Sequence, residues 1–126
     1  MSRSPTVHTL KLMRSRGYPL VEVVEHWNPH VGIRQDLFGI LDVLCVGDDG
    51  VVGIQTTSDT GMSARIAKIR AATIEVKRGD QVETVDVLAA LRRARVRVLV
   101  HGWRKRNGRW WVREVELSLS EGGPPT

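Results

Sequence analysis

Between Asp36 and Thr57 the chain reads DLFGILDVLCVGDDGVVGIQTT, two apolar β-branched runs on either side of Gly47-Asp48-Asp49-Gly50. Gly and Asp tolerate the positive-φ positions of a tight reversal, so the pattern predicts a hairpin of strands Ile40–Val46 and Val51–Thr57. With those four residues as the loop, Val46 faces Val51, and counting back puts Asp42 opposite Gln55. Side chains alternate faces along a strand, which sets Asp42, Gln55 and Thr57 on one face, the first two with Cβ atoms roughly 5 Å apart.

The same reading extends to both sides. Thr6 to Arg16 is expected to be a short helix opened by Ser4-Pro5 and stopped by Gly17, with Val7, Leu10 and Met13 inward. Leu20 to Trp27 has strand composition, and Glu25 shares a face with Val21, Val23 and Trp27, an inward carboxylate if that face is covered. Asn28-Pro29-His30-Val31-Gly32 breaks the strand, and Pro29 denies His26 and His30 the common helix face a zinc pair needs. Met62 to Thr73 has helical spacing, with Met62, Ile66, Ile69 and Thr73 inside and Arg65 and Lys68 on a neighbouring face. Ile74–Lys77 is ambiguous between a strand and a helix tail, and Glu83 to Ala94 is expected to be helical. Val96–Trp103 and Trp110–Leu117 read as strands joined by Arg104–Arg109, in which Asn107-Gly108 marks the turn. Helix, three strands, two helices and two strands make an α+β fold, a central mixed sheet flanked by helices in a three-layer arrangement.

At 126 residues the chain suits one domain, expected over residues 1–120, with 121–126 a disordered Gly/Pro tail. No apolar run reaches the roughly 20 residues of a membrane span, and the N-terminus lacks a signal peptide's apolar core, so a soluble cytoplasmic protein without a membrane partner is expected. Cys45 stands alone in an apolar strand, which excludes a disulfide framework and suits a small buried side chain.

The net charge of +5 is unevenly spread: Arg92 to Arg113 holds nine basic residues and no acidic one. Such a patch suits nucleic acid as partner, and equally a merely solvated arginine-rich face. The Asp42/Gln55 pair likewise has two readings. A carboxylate beside an amide oxygen suits a hard cation, and the same pair suits an antiparallel sheet with one wet face.

The blocks RQDLFGILDVL (Arg34 to Leu44), VVGIQTTS (Val51 to Ser58), SARIAKI (Ser63 to Ile69) and HGWRKRNGRWWVR (His101 to Arg113) together resemble the PD-(D/E)XK nuclease superfamily, in its Holliday junction resolvase-like and phage-type small nuclease branches. The resemblance implies a restriction-endonuclease-like αβββαβ core with a C-terminal β-hairpin, a bacterial or phage-encoded protein, and metal-dependent hydrolysis of DNA. Asp42 matches the superfamily's metal-binding aspartate, while Gln55 and Thr57 stand where its second acid and lysine would be. The implied metal set is Asp42, Gln55 and the Thr56 carbonyl around Mg²⁺ or Mn²⁺, with Glu25 and Asp36 as further acids. Lys68, or Arg65, would supply the missing cation. Arg104, Lys105, Arg106 and Arg109, with Arg65, would contact DNA, and relatives of this kind form homodimers. A catalytically degenerate DNA-binding module of the same fold is the alternative, with exposed members of Trp103, Trp110 and Trp111 stacking on bases and at least two of the three expected inside.

Overall fold

A computed structural model describes residues 4–118. Helix α1 (Pro5–Ser15) is followed by strand β1 (Leu20–Val23), a ribbon of β2 (His26–Asn28) and β3 (Ile33–Gln35), then β4 (Val43–Gly47) and β5 (Gly50–Ser58). A 3₁₀ turn (Asp59–Gly61) leads into α2 (Met62–Ala71), a second ribbon of β6 (Thr73–Arg78) and β7 (Gln81–Asp86), helix α3 (Val87–Arg93), and strands β8 (Val96–Arg106) and β9 (Arg109–Leu117). The main sheet has the order β1-β4-β5-β8-β9, antiparallel throughout except for the parallel pair β5–β8. The fold is α+β, with α1 packed on one face of a mixed sheet and α2 and α3 on the other.

The division of the core follows strand alternation. Met13 of α1 packs with Val21, Val43, Cys45, Val52, Ile54 and Leu99, whereas Met62, Ile69, Val87 and Leu88 pack with Ile40, Leu41, Val98, Val100 and Leu117. β5 is therefore covered on both sides, and every residue from Val52 to Thr57 is buried. Burial also holds the Cys45 thiol up at about 11, so it behaves as a small apolar side chain. Among the described residues no helix is long and apolar enough to cross a membrane.

The central hairpin has the expected register, with Val43 opposite Ile54 and Val46 opposite Val51. Other segments differ for local reasons. The run Leu20 to Trp27 is two strands, because after Val23 the chain leaves the sheet and pairs His26–Asn28 with Ile33–Gln35, reversing through Gly32 at φ +67. The face expected to bury Glu25 is consequently divided: Val21 is buried, Glu25 is half-buried, and Val23 and Trp27 are exposed. β4 starts three residues late, since Leu37 to Leu41 form a tight turn with Phe38 and Gly39 at positive φ.

The helix expected to reach Thr73 stops at Ala71, and Thr73–Arg78 pairs with Gln81–Asp86 through Gly79 at φ +63. Glu83 to Asp86 are thus strand rather than helix. Helix α3 starts only after Asp86, whose carboxylate accepts the Ala89 N–H at 3.1 Å as an N-cap. Arg104–Arg109 is no loop: both strands run on to Arg106 and Arg109, leaving only Asn107-Gly108 as a two-residue turn with φ +52 and +76. Residues 121–126 lie outside the described residues.

A Cβ built on Gly102 would lie 2.3 Å from the Met62 sulfur and 3.1 Å from the Asp59 Cα. Gly102→Ala is therefore expected to lower unfolding free energy by about 1–3 kcal/mol through overpacking, read from the urea midpoint at unchanged slope.

Candidate metal centre

Asp42 lies one residue before β4, where the ladder ends at Val43–Ile54; its N–H donates to the Ile54 carbonyl at 2.9 Å, and its side chain meets that of Gln55. Its Oδ2 accepts three hydrogen bonds: from Gln55 Nε2 at 2.7 Å, from the Thr56 N–H at 2.7 Å and from the Thr56 hydroxyl at 3.0 Å. With the Thr56 proton committed to the carboxylate, the 2.9 Å contact between the Thr6 and Thr56 hydroxyls is donated by Thr6. A long-range hydroxyl from α1 thus supports the site from the far side of the sheet.

Two further acids converge on Asp42 from the irregular segments flanking the β2–β3 ribbon. Glu25, Asp36 and Asp42 each offer a carboxylate oxygen within 4.8 Å of the others, a group that can hold a metal ion. Gln55 Nε2 also reaches Asp36 Oδ2 at 3.4 Å, and Lys68 Nζ stands 3.9 Å from the same oxygen. Burial raises the Asp36 carboxyl to about 6, helped by the hydrogen bond and charge of Asp42 and opposed by Gln55 and Lys68. The cluster crowds negative charge, met on Asp42 by three hydrogen-bond donors and on Asp36 by the Lys68 ammonium.

The Gln55 carbonyl oxygen is buried and has no hydrogen-bond partner among the described residues. Leaving such an acceptor unmade costs on the order of 1–3 kcal/mol. The three carboxylates are an all-oxygen donor set, which suits a hard cation better than a thiophilic one, and the Gln55 amide faces them through its nitrogen. An open groove of about 460 Å³, lined in part by His26, Asp36, Phe38, Lys68 and Thr73, gives the cluster access to solvent.

Other expected site residues fall differently. Thr56 meets Asp42 through its N–H and hydroxyl. Thr57 is buried beneath the 3₁₀ turn, with its hydroxyl 2.6 Å from where a Gly61 Cβ would sit. Arg65 is half-buried on α2 one turn before Lys68.

The cationic residues of β8 and β9 separate by face. Gly102 packs under Met62 and Arg113 pairs with Asp59 at 2.9 Å, so Arg104, Arg106, Arg109 and Trp111, in step with them, lie on the α2 side, the face of Gln55. Lys105 alternates to the opposite face with Trp110. Of the three tryptophans, only Trp103 is buried, its indole N–H donating to Thr9; Trp110 is half-buried against His8 and Trp111 is 53% exposed.

Sequence reasoning missed the polar network on the α1 face. His101, fully buried, meets the Thr9 hydroxyl at Nδ1 (3.0 Å) and donates from Nε2 to Glu114 at 2.7 Å, and Glu114 also pairs with Arg16 at 2.7 Å. Partners 92 and 98 residues apart leave no local pattern. Comparison of the chain with family models, curated proteins and solved structures finds no match.

His101 first, and Arg16 after it, hold the Glu114 carboxyl down at about 2 against an ordinary 4.5. A depressed carboxyl adds stability above its unfolded value and loses it as pH falls from about 4.5 to 2. Urea midpoints are expected to fall across that window in the wild type and to follow a flatter course in Glu114→Gln.

Proposed function

We propose that this chain is a metal-dependent DNA endonuclease that hydrolyses phosphodiester bonds on a PD-(D/E)XK-like site. The observation that carries the reading is the convergence of the Glu25, Asp36 and Asp42 carboxylates on one point, with the Gln55 amide donating to both aspartates and the Lys68 ammonium beside Asp36. The order α1, three antiparallel strands, α2 and a parallel strand accords with the same superfamily pattern.

In this reading Glu25, Asp36 and Asp42 would hold Mg²⁺ or Mn²⁺, and the Gln55 amide, which donates to both aspartates, would have to turn to add its oxygen. Such an ion would lower the pKa of a bound water and polarise the scissile phosphate. Thr56, itself held by Thr6, fixes the Asp42 carboxylate through two donors. Lys68 stands where a phosphate entering the groove would meet its ammonium, offsetting the charge that grows on the phosphoryl oxygens. Whichever of Glu25 and Asp36 stays outside the metal shell would accept the proton released from the attacking water. Arg104, Arg106 and Arg109 extend the positive surface along the same face.

The test is cleavage of labelled duplex, single-stranded and four-way-junction DNA with Mg²⁺, Mn²⁺ or chelator. Products are expected only with metal and are expected to disappear in Asp42→Asn, a variant that keeps most of the local hydrogen bonding. Lys68→Ala should lower the rate about 10²-fold with calorimetric metal affinity retained. Cleavage that survives Asp42→Asn overturns the proposal. DNA retarded but uncut in every lane favours the binding module instead, a result for which the buried Thr57 in the lysine position would be the reason.

A further inference from the structure

Beyond the body of the sheet, β8 and β9 run on as a two-stranded arm that ends at Asn107-Gly108. On its α2-side face Arg104 pairs across the ladder with Trp111, and Arg106 with Arg109. These four and Asn107 line a concavity of about 530 Å³. Neighbouring arginines are committed: Arg16 to Glu114, Arg97 to Glu116 and Arg113 to Asp59. Arg104, Arg106 and Arg109 have no carboxylate partner among the described residues.

Three unneutralised guanidiniums around an exposed indole gain nothing for the fold. The cations repel one another, and the Trp111 ring stays in water. An occupant that is anionic and aromatic at once satisfies both, and a nucleotide has that composition: phosphate for the arginines, a base face for the indole. A double helix offers its phosphates to such an arm but keeps its base faces stacked inside, so Trp111 can engage a base only where the strand is unpaired.

We infer that the tip of the β8–β9 arm is a seat for an unpaired nucleotide, with Trp111 stacked on the base and Arg104, Arg106 and Arg109 on the flanking phosphates. That the seated strand belongs to the substrate rests on the nuclease reading; the seat itself does not. Val100 pairs with Gln55, and Arg104 lies four residues further along β8, ~13 Å at strand rise.

The experiment measures fluorescence anisotropy of a labelled oligothymidylate, a blunt duplex and a duplex with a single-stranded tail, all in chelator and on the Asp42→Asn background, so that no cleavage intervenes. The tailed and single-stranded probes are expected to bind more tightly than the blunt duplex. Trp111→Ala should weaken both about tenfold while leaving the duplex unchanged, and Trp111→Phe should recover most of the loss. Arg106→Ala should reduce the salt slope by about one. Equal affinity for blunt duplex and single strand, or a Trp111→Ala loss shared by all three probes, overturns the seat. Since binding is read without catalysis, absence of cleavage in the nuclease assay with this pattern intact removes only the nuclease reading.

Discussion

The Asp42 carboxylate is the constraint on which the centre of this molecule turns. It is a buried acid at the start of a strand covered on both sides, where an uncompensated charge would be costly. Three donors on a single oxygen offset much of that cost, and all three come from Gln55 and Thr56 on the neighbouring strand. The hairpin register is therefore tied to the site: a slip of one residue would turn Gln55 away and bring an apolar side chain against the acid. Stability of the sheet and geometry of the cluster are set by the same few hydrogen bonds.

The two faces of the sheet manage polarity in opposite ways. On the α1 side polar groups are closed upon one another, with Trp103 and His101 meeting at Thr9, and Glu114 held between His101 and Arg16. On the α2 side three carboxylates lie within 4.8 Å of one another, and among the described residues the Gln55 amide oxygen has no hydrogen-bond partner and Arg104, Arg106 and Arg109 have no carboxylate partner. A closed network contributes to folding, whereas an incomplete one is what a ligand would complete. Thr56 joins the two, since Thr6 reaches it from α1 while its own proton goes to Asp42.

The central hairpin was legible because its signals are local. Gly47 and Gly50 mark the turn, and counting outward gives the Asp42–Gln55 pairing. Glu25 and Asp36 could be named as acids, but their convergence on Asp42 was not readable, because it depends on a ribbon that carries the chain out of the sheet and back. Glu83–Asp86 depart from the expected helix for a different reason: Asp86 is the cap at which α3 begins, and the residues before it pair as strand with β6. Lys68 stands 3.9 Å from Asp36, and its side of α2 is countable from the sequence because the helix begins soon after β5.

The arrangement of charge along β8 and β9 follows from alternation alone. Residues 104, 106, 109 and 111 share a face with Gln55, while Lys105 and Trp110 do not, so a run that looks uniformly basic in sequence is divided by the sheet. Three of its four cations, Arg104, Arg106 and Arg109, continue the surface that holds the acid cluster. Negative charge sits within the groove beside α2 and positive charge sits further along the same face, an arrangement that under the proposed function would draw an anionic chain toward the arm and leave the acids to a cation. A polyanion can approach such a cluster only when its charge is first met, and the metal ion that the all-oxygen donor set fits would provide that condition.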